Sequence, residues 1–316
     1  MPQPSFTLGD PALPGAFDRP AVAVGVFDGV HRGHLEVIRR LRERAAGQPA
    51  VIVTFDEHPR TVLTGDGPPL LTGLEHRVRL LGRAGVDGVV VLPFREVSTW
   101  AAERFVHEVL VETLGASWVL VGENHRFGRG REGDLALLER LGAEHGFKAE
   151  EVTLETGEGE VISSTAVRAA LSAGDLERCA ELLGRPVGYL APVARGDQRG
   201  RTLGFPTANL ALDPRVATPP RGVYAARARI IEGEDEGPLL PAVVNVGRRP
   251  TFKDHDPDLA EVHLLEGGRD LYGLSLEVHF LERLRGERRF NGPDELKAQI
   301  ERDIEAAKRR LSSAPA

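Results

Sequence analysis

The sequence predicts two domains, an α/β domain built on a parallel sheet followed by an all-β domain. Three observations carry this reading. Over residues 1–184 short apolar runs alternate with helical stretches, the signature of βαβ units. Gly184-Arg185-Pro186 then breaks the alternation. Over residues 185–316 short β-type segments are separated by Gly, Pro and Asp turns, the texture of an antiparallel barrel or sandwich.

Each element has its own signal. Ala21–Phe27 is a valine-rich apolar run ending at Asp28-Gly29, Ala50–Phe55 reads as a second, buried strand, and Gly88–Leu92, Trp118–Val121 and Lys148–Leu154 follow as further strands. Leu35, Ile38, Leu41 and Ala45 recur at helical spacing after the first strand. Glu75–Ala84, Thr99–Leu114 and Gly133–His145 read as helices between strands, and Thr165–Ser172 and Asp175–Leu183 as two short helices closing the domain. In the second half Gly222–Ile231, Ala242–Gly247, Ala260–Leu265 and Leu274–Phe280 are strand candidates, with a hairpin tip at Glu232–Gly237. A last helix opens near Pro293, a residue suited to a first turn, and carries the stripe Leu296, Ile300, Ile304, Ala307 and Leu311.

Composition narrows the function classes. The chain has 316 residues, 41% hydrophobic and 28% charged, which is ordinary for a soluble globular protein and excludes disorder and collagen-like repeats. The net charge of −7 argues against nucleic acid as the main partner. Cys179 is the only cysteine, so an intramolecular disulfide and a cysteine-based zinc site are excluded. The start Met1-Pro-Gln-Pro-Ser5 lacks a basic region followed by an apolar one. No apolar run reaches the roughly 18 residues of a membrane span. A cytoplasmic protein without membrane contact is expected.

The richest stretch of the first half is Gly25-Val-Phe-Asp-Gly-Val-His-Arg-Gly-His34, placed where a strand ends and a helix begins. Ligands of open α/β sheets bind at the carboxyl ends of strands, and helix N-termini attract phosphate. Gly25, Gly29 and Gly33 allow close backbone approach, and His31 and His34 can face the same way and donate to a triphosphate. A turn with two solvated histidines is the plain alternative. Zinc is a third, with His58 as the nearby extra ligand. Thr54–Pro59, Gly122–Gly128 and Ser163-Ser-Thr-Ala-Val-Arg168 follow later strands, so a parallel sheet would bring them to the same edge. Ser164, Thr165 and Arg168 offer hydroxyls and a guanidinium for phosphate. The combination favours a nucleotide site.

The second rich stretch is Gly196-Asp-Gln-Arg-Gly-Arg-Thr-Leu-Gly-Phe-Pro-Thr-Ala-Asn209. Gly196, Gly200 and Gly204 with Arg199 and Arg201 suggest a flexible loop over phosphates. Pro206 favours extended backbone, so Thr207 and Asn209 fall on one face. Both are hard oxygen ligands suited to Mg²⁺. A glycine-rich hairpin followed by an Asx turn is the plain alternative. Alternation puts Glu261, His263 and Leu265 on one face of a strand. From spacing alone Glu261 reads as a surface glutamate.

Together these motifs resemble the prokaryotic bifunctional riboflavin kinase/FAD synthetase (FMN adenylyltransferase) family. The likeness runs from about residue 20 to about residue 310 and includes Asn245-Val-Gly-Arg-Arg-Pro-Thr-Phe252 and Glu261-Val-His263. It implies a Rossmann-like nucleotidyltransferase domain over 1–184 and a six-stranded antiparallel flavokinase β-barrel with a terminal helix over 185–316. It implies two ATP-dependent steps, phosphorylation of riboflavin to FMN and adenylylation of FMN to FAD with release of pyrophosphate. By the resemblance, Gly25, Phe27, Asp28, Gly29, His31, His34, Ser164, Thr165 and Arg168 would bind ATP for adenylylation, with His31 and His34 stabilising the phosphates, and Asn124 would lie near the flavin. Gly196, Gly200, Arg201, Gly204, Pro206, Thr207 and Asn209 would bind the kinase ATP. Thr207 and Asn209 would hold Mg²⁺, and Glu261 would be the catalytic base. Expected partners are riboflavin, FMN and ATP, with weak self-association left open. The alternatives are a riboflavin kinase with a degenerate adenylyltransferase domain and a non-catalytic flavin-binding protein. Three positions depart from the family pattern: Glu57 stands for a proline, His125 for an aromatic and Arg195 for a histidine.

Overall fold

A computed structural model describes residues 5–152, 162–194, 204–248, 258–266 and 270–313. The chain folds as two compact units, Met1–Leu70 with Leu74–Ser164, and Leu71–Gly73 with Thr165–Ala316.

The first unit is a six-stranded parallel sheet in the order β1-β4-β3-β2-β5-β6. Its strands are β1 (Ser5–Thr7), β2 (Ala21–Val24), β3 (Ala50–Phe55), β4 (Gly88–Leu92), β5 (Trp118–Gly122) and β6 (Lys148–Val152). The helices are α1 (Arg32–Ala45), α2 (Pro59–Thr64), α3 (Leu74–Arg83), α4 (Phe94–Val97), α5 (Ala102–Phe105) and α6 (Leu135–His145). The helical stretch expected over Thr99–Leu114 is α5 continued by a π-helix, Val106–Thr113.

The four central strands β4, β3, β2 and β5 read as continuous apolar runs because helices cover both faces of the sheet. Ala21, Ala23, Ile52, Val89, Val91 and Leu120 face Val37, Ile38, Leu41, Leu80 and Leu81 of α1 and α3. Val22, Val24, Val51, Val53, Val90, Val119 and Val121 pack with Phe105, Val109, Leu110, Leu138 and Leu141. Leu35 departs from the expected stripe of α1 and is exposed, while Gly33 and Val37 are buried instead. Edge strand β1 has no counterpart among the expected elements, being too short for period-two patterning to show.

Helix α7 (Ser164–Ala173) starts on the last residue of the first unit, and in the second unit the rest of α7 and α8 (Leu176–Leu183) precede a closed barrel, β10-β11-β8-β7-β12-β9, in which every pairing is antiparallel. The strands are β7 (Val187–Ala194), β8 (Ala208–Ala211), β9 (Gly222–Glu232), β10 (Asp235–Arg248), β11 (Asp258–Leu264) and β12 (Ser275–Arg285). The sequence shows β7 and β8 poorly. Gly188 and Pro192 interrupt the first, and the second has four residues. Inward positions alternate small and large, with Ala226, Ala228 and Ala260 beside Leu210, Tyr224 and Phe280, which lets six strands close on a filled interior. Tyr224 and Phe280 meet edge to face, centroids 5.3 Å apart. The β9–β10 hairpin turns at Gly233-Glu234 within the expected tip.

The last helix, α9 (Pro293–Ser313), lays Ala307 and Leu311 on Val223, Ala225 and Val243 of the barrel's outer face. It is tied down by Asp303, whose carboxylate accepts from Arg285 of β12 at 2.8–3.1 Å and from Gln299 at 2.7 Å.

Candidate functional site

Each unit presents one candidate site, and each is built by strand order. In the first unit β2 lies between β3 and β5, and the chain reverses its direction across the sheet at that point. This is the topological switch at which open α/β sheets bind ligands. The loops there are those that follow β2 and β5, namely Gly25–His34 and Gly122–Gly128.

The Gly25–His34 loop is tightly determined. Phe27 and Val30 have φ of 52° and 42°, and Gly29 has φ of 83°. Left-handed conformations are unfavourable for side-chain-bearing residues and persist where packing over-determines them. Phe27, Asp28, Val30 and His31 are all buried. A Cβ on Gly25 would sit 3.0 Å from the Phe27 ring, which explains the glycine. His31 is the N-cap of α1, its Nδ1 accepting from the His34 amide at 3.3 Å. In a neutral imidazole this leaves the proton on Nε2 as a donor. The His31 and His34 rings stack, centroids 3.7 Å apart and 16° from parallel, and Phe27 flanks His34 at 5.0 Å.

The cap role differs from the solvated-turn reading, because both rings are fixed by packing. It also bears on zinc. His58 caps α2 through Nδ1, and among the described residues no group of three His, Cys, Asp or Glu could hold a metal ion.

Ser164 joins this loop, its Oγ donating to the Asp28 carbonyl at 2.9 Å. Thr165 and Arg168 follow on one face of α7. Asn124 has φ of 58° in the turn after β5, and its amide donates to Glu151 at 3.2 Å. Next to it His125 stacks on Phe127, centroids 5.9 Å apart, and Phe127 contacts Phe105. Burial pushes the His125 imidazole down to about 4, so it is neutral at pH 7. Glu57, in place of the family's proline, is gripped by both ends of the Arg95 guanidinium at 2.6 and 2.8 Å, and Asp56 accepts from the amides of Glu57 and Phe94. The loop after β3 is thereby bound to the start of α4 without a proline.

In the second unit the register of the barrel does the assembling. Asn209 of β8 pairs directly with Glu261 of β11, which pairs on its other side with Asn245 of β10. Direct cross-strand partners point to the same face, their Cβ atoms about 5 Å apart. Ala260 and Val262 point inward and are buried, so Asn209, Glu261 and Asn245 form a polar row on the outer face.

Spacing alone left His263 without a role. Its Nδ1 lies 2.8 Å from the Pro206 carbonyl and its ring meets Phe205 edge to face. It thus anchors the Gly204–Thr207 segment, which enters β8 through Gly204 at φ 89°. The visible signal was its register, two residues from Glu261 on the same face. Gly196, Gly200 and Arg201, like Arg195 and Arg199, lie outside the described residues. The donor set suits a hard cation. Thr207 and Asn209 offer neutral oxygens, and the largely buried Asn209 amide makes no side-chain hydrogen bond among the described residues.

Comparison with known proteins finds a family for each half of the chain. The family described as FAD synthetase matches residues 15–166, and the family described as riboflavin kinase matches residues 183–311. The bifunctional riboflavin kinase/FMN adenylyltransferase of Escherichia coli (strain K12) is 41% identical over 286 residues, covering 89% of this chain and 90% of the relative. That of Bacillus subtilis (strain 168) is 34% identical over 300 residues, covering 92% of each. A Streptococcus pneumoniae crystal structure, described as a macrolide-efflux protein, superposes with a TM-score of 0.73 at 29% identity over 92% of this chain and 94% of that one.

Proposed function

This chain belongs to the bifunctional riboflavin kinase/FMN adenylyltransferase family, and from that premise we propose how its residues divide the two reactions. The chain is both a riboflavin kinase and an FMN adenylyltransferase. Residues 1–184 perform adenylyl transfer and residues 185–316 perform the phosphorylation.

In the kinase reaction Glu261 takes the proton of the riboflavin 5′-hydroxyl as its oxygen attacks the γ-phosphorus of ATP, and ADP leaves. Phosphoryl transfer asks mainly for positioning and charge neutralisation, so one base beside a phosphate cradle suffices. Mg²⁺, held by Thr207 and Asn209, would neutralise phosphate charge. Gly196, Gly200, Arg201, Gly204 and Pro206 would bind the nucleotide. The observation that carries this half is the direct pairing of Asn209 with Glu261. It supports a base and a phosphate-side ligand working within one side chain's reach of each other.

In the adenylyl transfer an FMN phosphate oxygen attacks the α-phosphorus of ATP, and pyrophosphate leaves. His31 donates through Nε2 to the charge that builds on the phosphates, with His34 stacked behind it. Ser164, Thr165 and Arg168 bind the triphosphate, Gly25, Phe27, Asp28 and Gly29 shape the loop, and Asn124 meets the flavin. The overall reading is tested by one time course with riboflavin, ATP and Mg²⁺, separating flavins by chromatography. FMN should rise and then give way to FAD. FMN that accumulates without FAD would confine activity to the barrel. No conversion of riboflavin or of supplied FMN would leave only a flavin-binding protein. The chain acts on soluble small molecules, and among the described residues no helix is long and apolar enough to cross a membrane.

A further inference from the structure

Arg77, in the middle of α3, is fully buried, with 1% of its surface exposed. A buried guanidinium is costly unless its donors and its charge are both answered. Its two terminal nitrogens are answered by main chain, while the buried Nε has no hydrogen-bond partner among the described residues. Nη1 donates to the Val26 carbonyl at 3.1 Å, and Nη2 donates to the Phe55 carbonyl. Val26 also accepts from Thr54 Oγ1 at 3.0 Å. Val26 lies just past the end of β2 and Phe55 ends β3, so the fork bridges the carboxyl ends of two adjacent parallel strands. Its charge is answered from the loops those strands feed. Burial opposes the cation, and Asp28 and then Asp56 favour it.

We infer that Arg77 is a positioning residue for adenylyl transfer, whose guanidinium fork sets the left-handed Phe27–Val30 turn and thereby the seat of His31. Two physical effects follow from the geometry. The turn starts one residue after the carbonyl that Arg77 holds, so the fork removes the freedom that would let Phe27 and Val30 relax to ordinary φ values. The fork also occupies lone pairs at the strand ends that would otherwise present negative dipole ends to an incoming triphosphate. The inference rests on reading Gly25–His34 as the triphosphate loop.

The test uses the full chain with Arg77→Lys and Arg77→Met. Lysine keeps the charge but not the planar two-carbonyl fork. FAD formation from supplied FMN is measured over a range of ATP, FMN formation from riboflavin on the same preparation, and folded fraction by thermal melting. Arg77→Lys should lower kcat/KM for ATP in FAD formation by about fivefold or more, and Arg77→Met further, with FMN formation per folded molecule unchanged. Arg77→Lys with wild-type kcat and KM overturns the inference, whether or not Arg77→Met folds. So does a loss of FAD formation that only tracks the folded fraction with KM unchanged, since that is the mark of a structural role. His31→Ala separates the two layers. If it makes FAD normally, the triphosphate reading of the loop fails. If it is inactive while Arg77→Lys is normal, only the inference about Arg77 fails.

Discussion

At the scale of single residues, two side chains separate the two reactions. Glu261→Ala should cut FMN formation by about 10²-fold or more, the usual worth of a general base, while FAD formation from supplied FMN continues. His31→Ala should do the reverse, with a loss of similar order for a donor to developing charge. Initial rates of each step on each variant check both. His125 makes a prediction about pH. Its imidazole is held down near 4 by burial, whereas an unfolded histidine titrates near 6.5. The unfolded state therefore binds the proton first. The stability that the neutral ring contributes is complete above about pH 6.5 and is lost as the pH falls toward 4, by about 2 kcal/mol after allowing for partial exposure. Denaturation at a series of pH values should show this slope, and His125→Phe should flatten it.

Among elements, the tie between α9 and the barrel is the point of leverage. Asp303 accepts three bonds from the Arg285 guanidinium and one from Gln299, in a largely buried setting. Asp303→Ala leaves that cation without its carboxylate, and the second unit should lose about 2–3 kcal/mol, read from urea denaturation. The Glu57–Arg95 pair is a contrasting case. It is largely exposed on the Arg95 side, so Glu57→Ala should cost less than about 1 kcal/mol and leave FAD formation intact. Kinetics of that variant decide whether the departure from proline matters to the reaction.

At the scale of the whole molecule, each unit has its own core and its own candidate site. The two reactions are then expected to be joined by a diffusible product. Mixing His31→Ala with Glu261→Ala should restore conversion of riboflavin to FAD, because FMN released by one variant is substrate for the other. Absence of FAD in that mixture, with each variant active in its own step, would mean that FMN does not leave the chain that makes it.

By itself the sequence determined the two-domain plan, five of the six parallel strands, four of the barrel strands and the motifs that carry the family. Buried strands and amphipathic helices are local patterns, and Gly25–His34 and Gly204–Asn209 are strings whose combination, rather than either alone, points to phosphate chemistry. What it could not contain is what depends on register and strand order. Spacing made Glu261 a surface glutamate, and only barrel closure sets it opposite Asn209. Arg77 carried no signal within its helix, and only the fold brings its guanidinium to the carbonyls of Val26 and Phe55. Leu35 satisfied helical periodicity and is nonetheless exposed. Hydrogen bonds between strands join residues far apart in the chain, so their partners are decided by the fold as a whole.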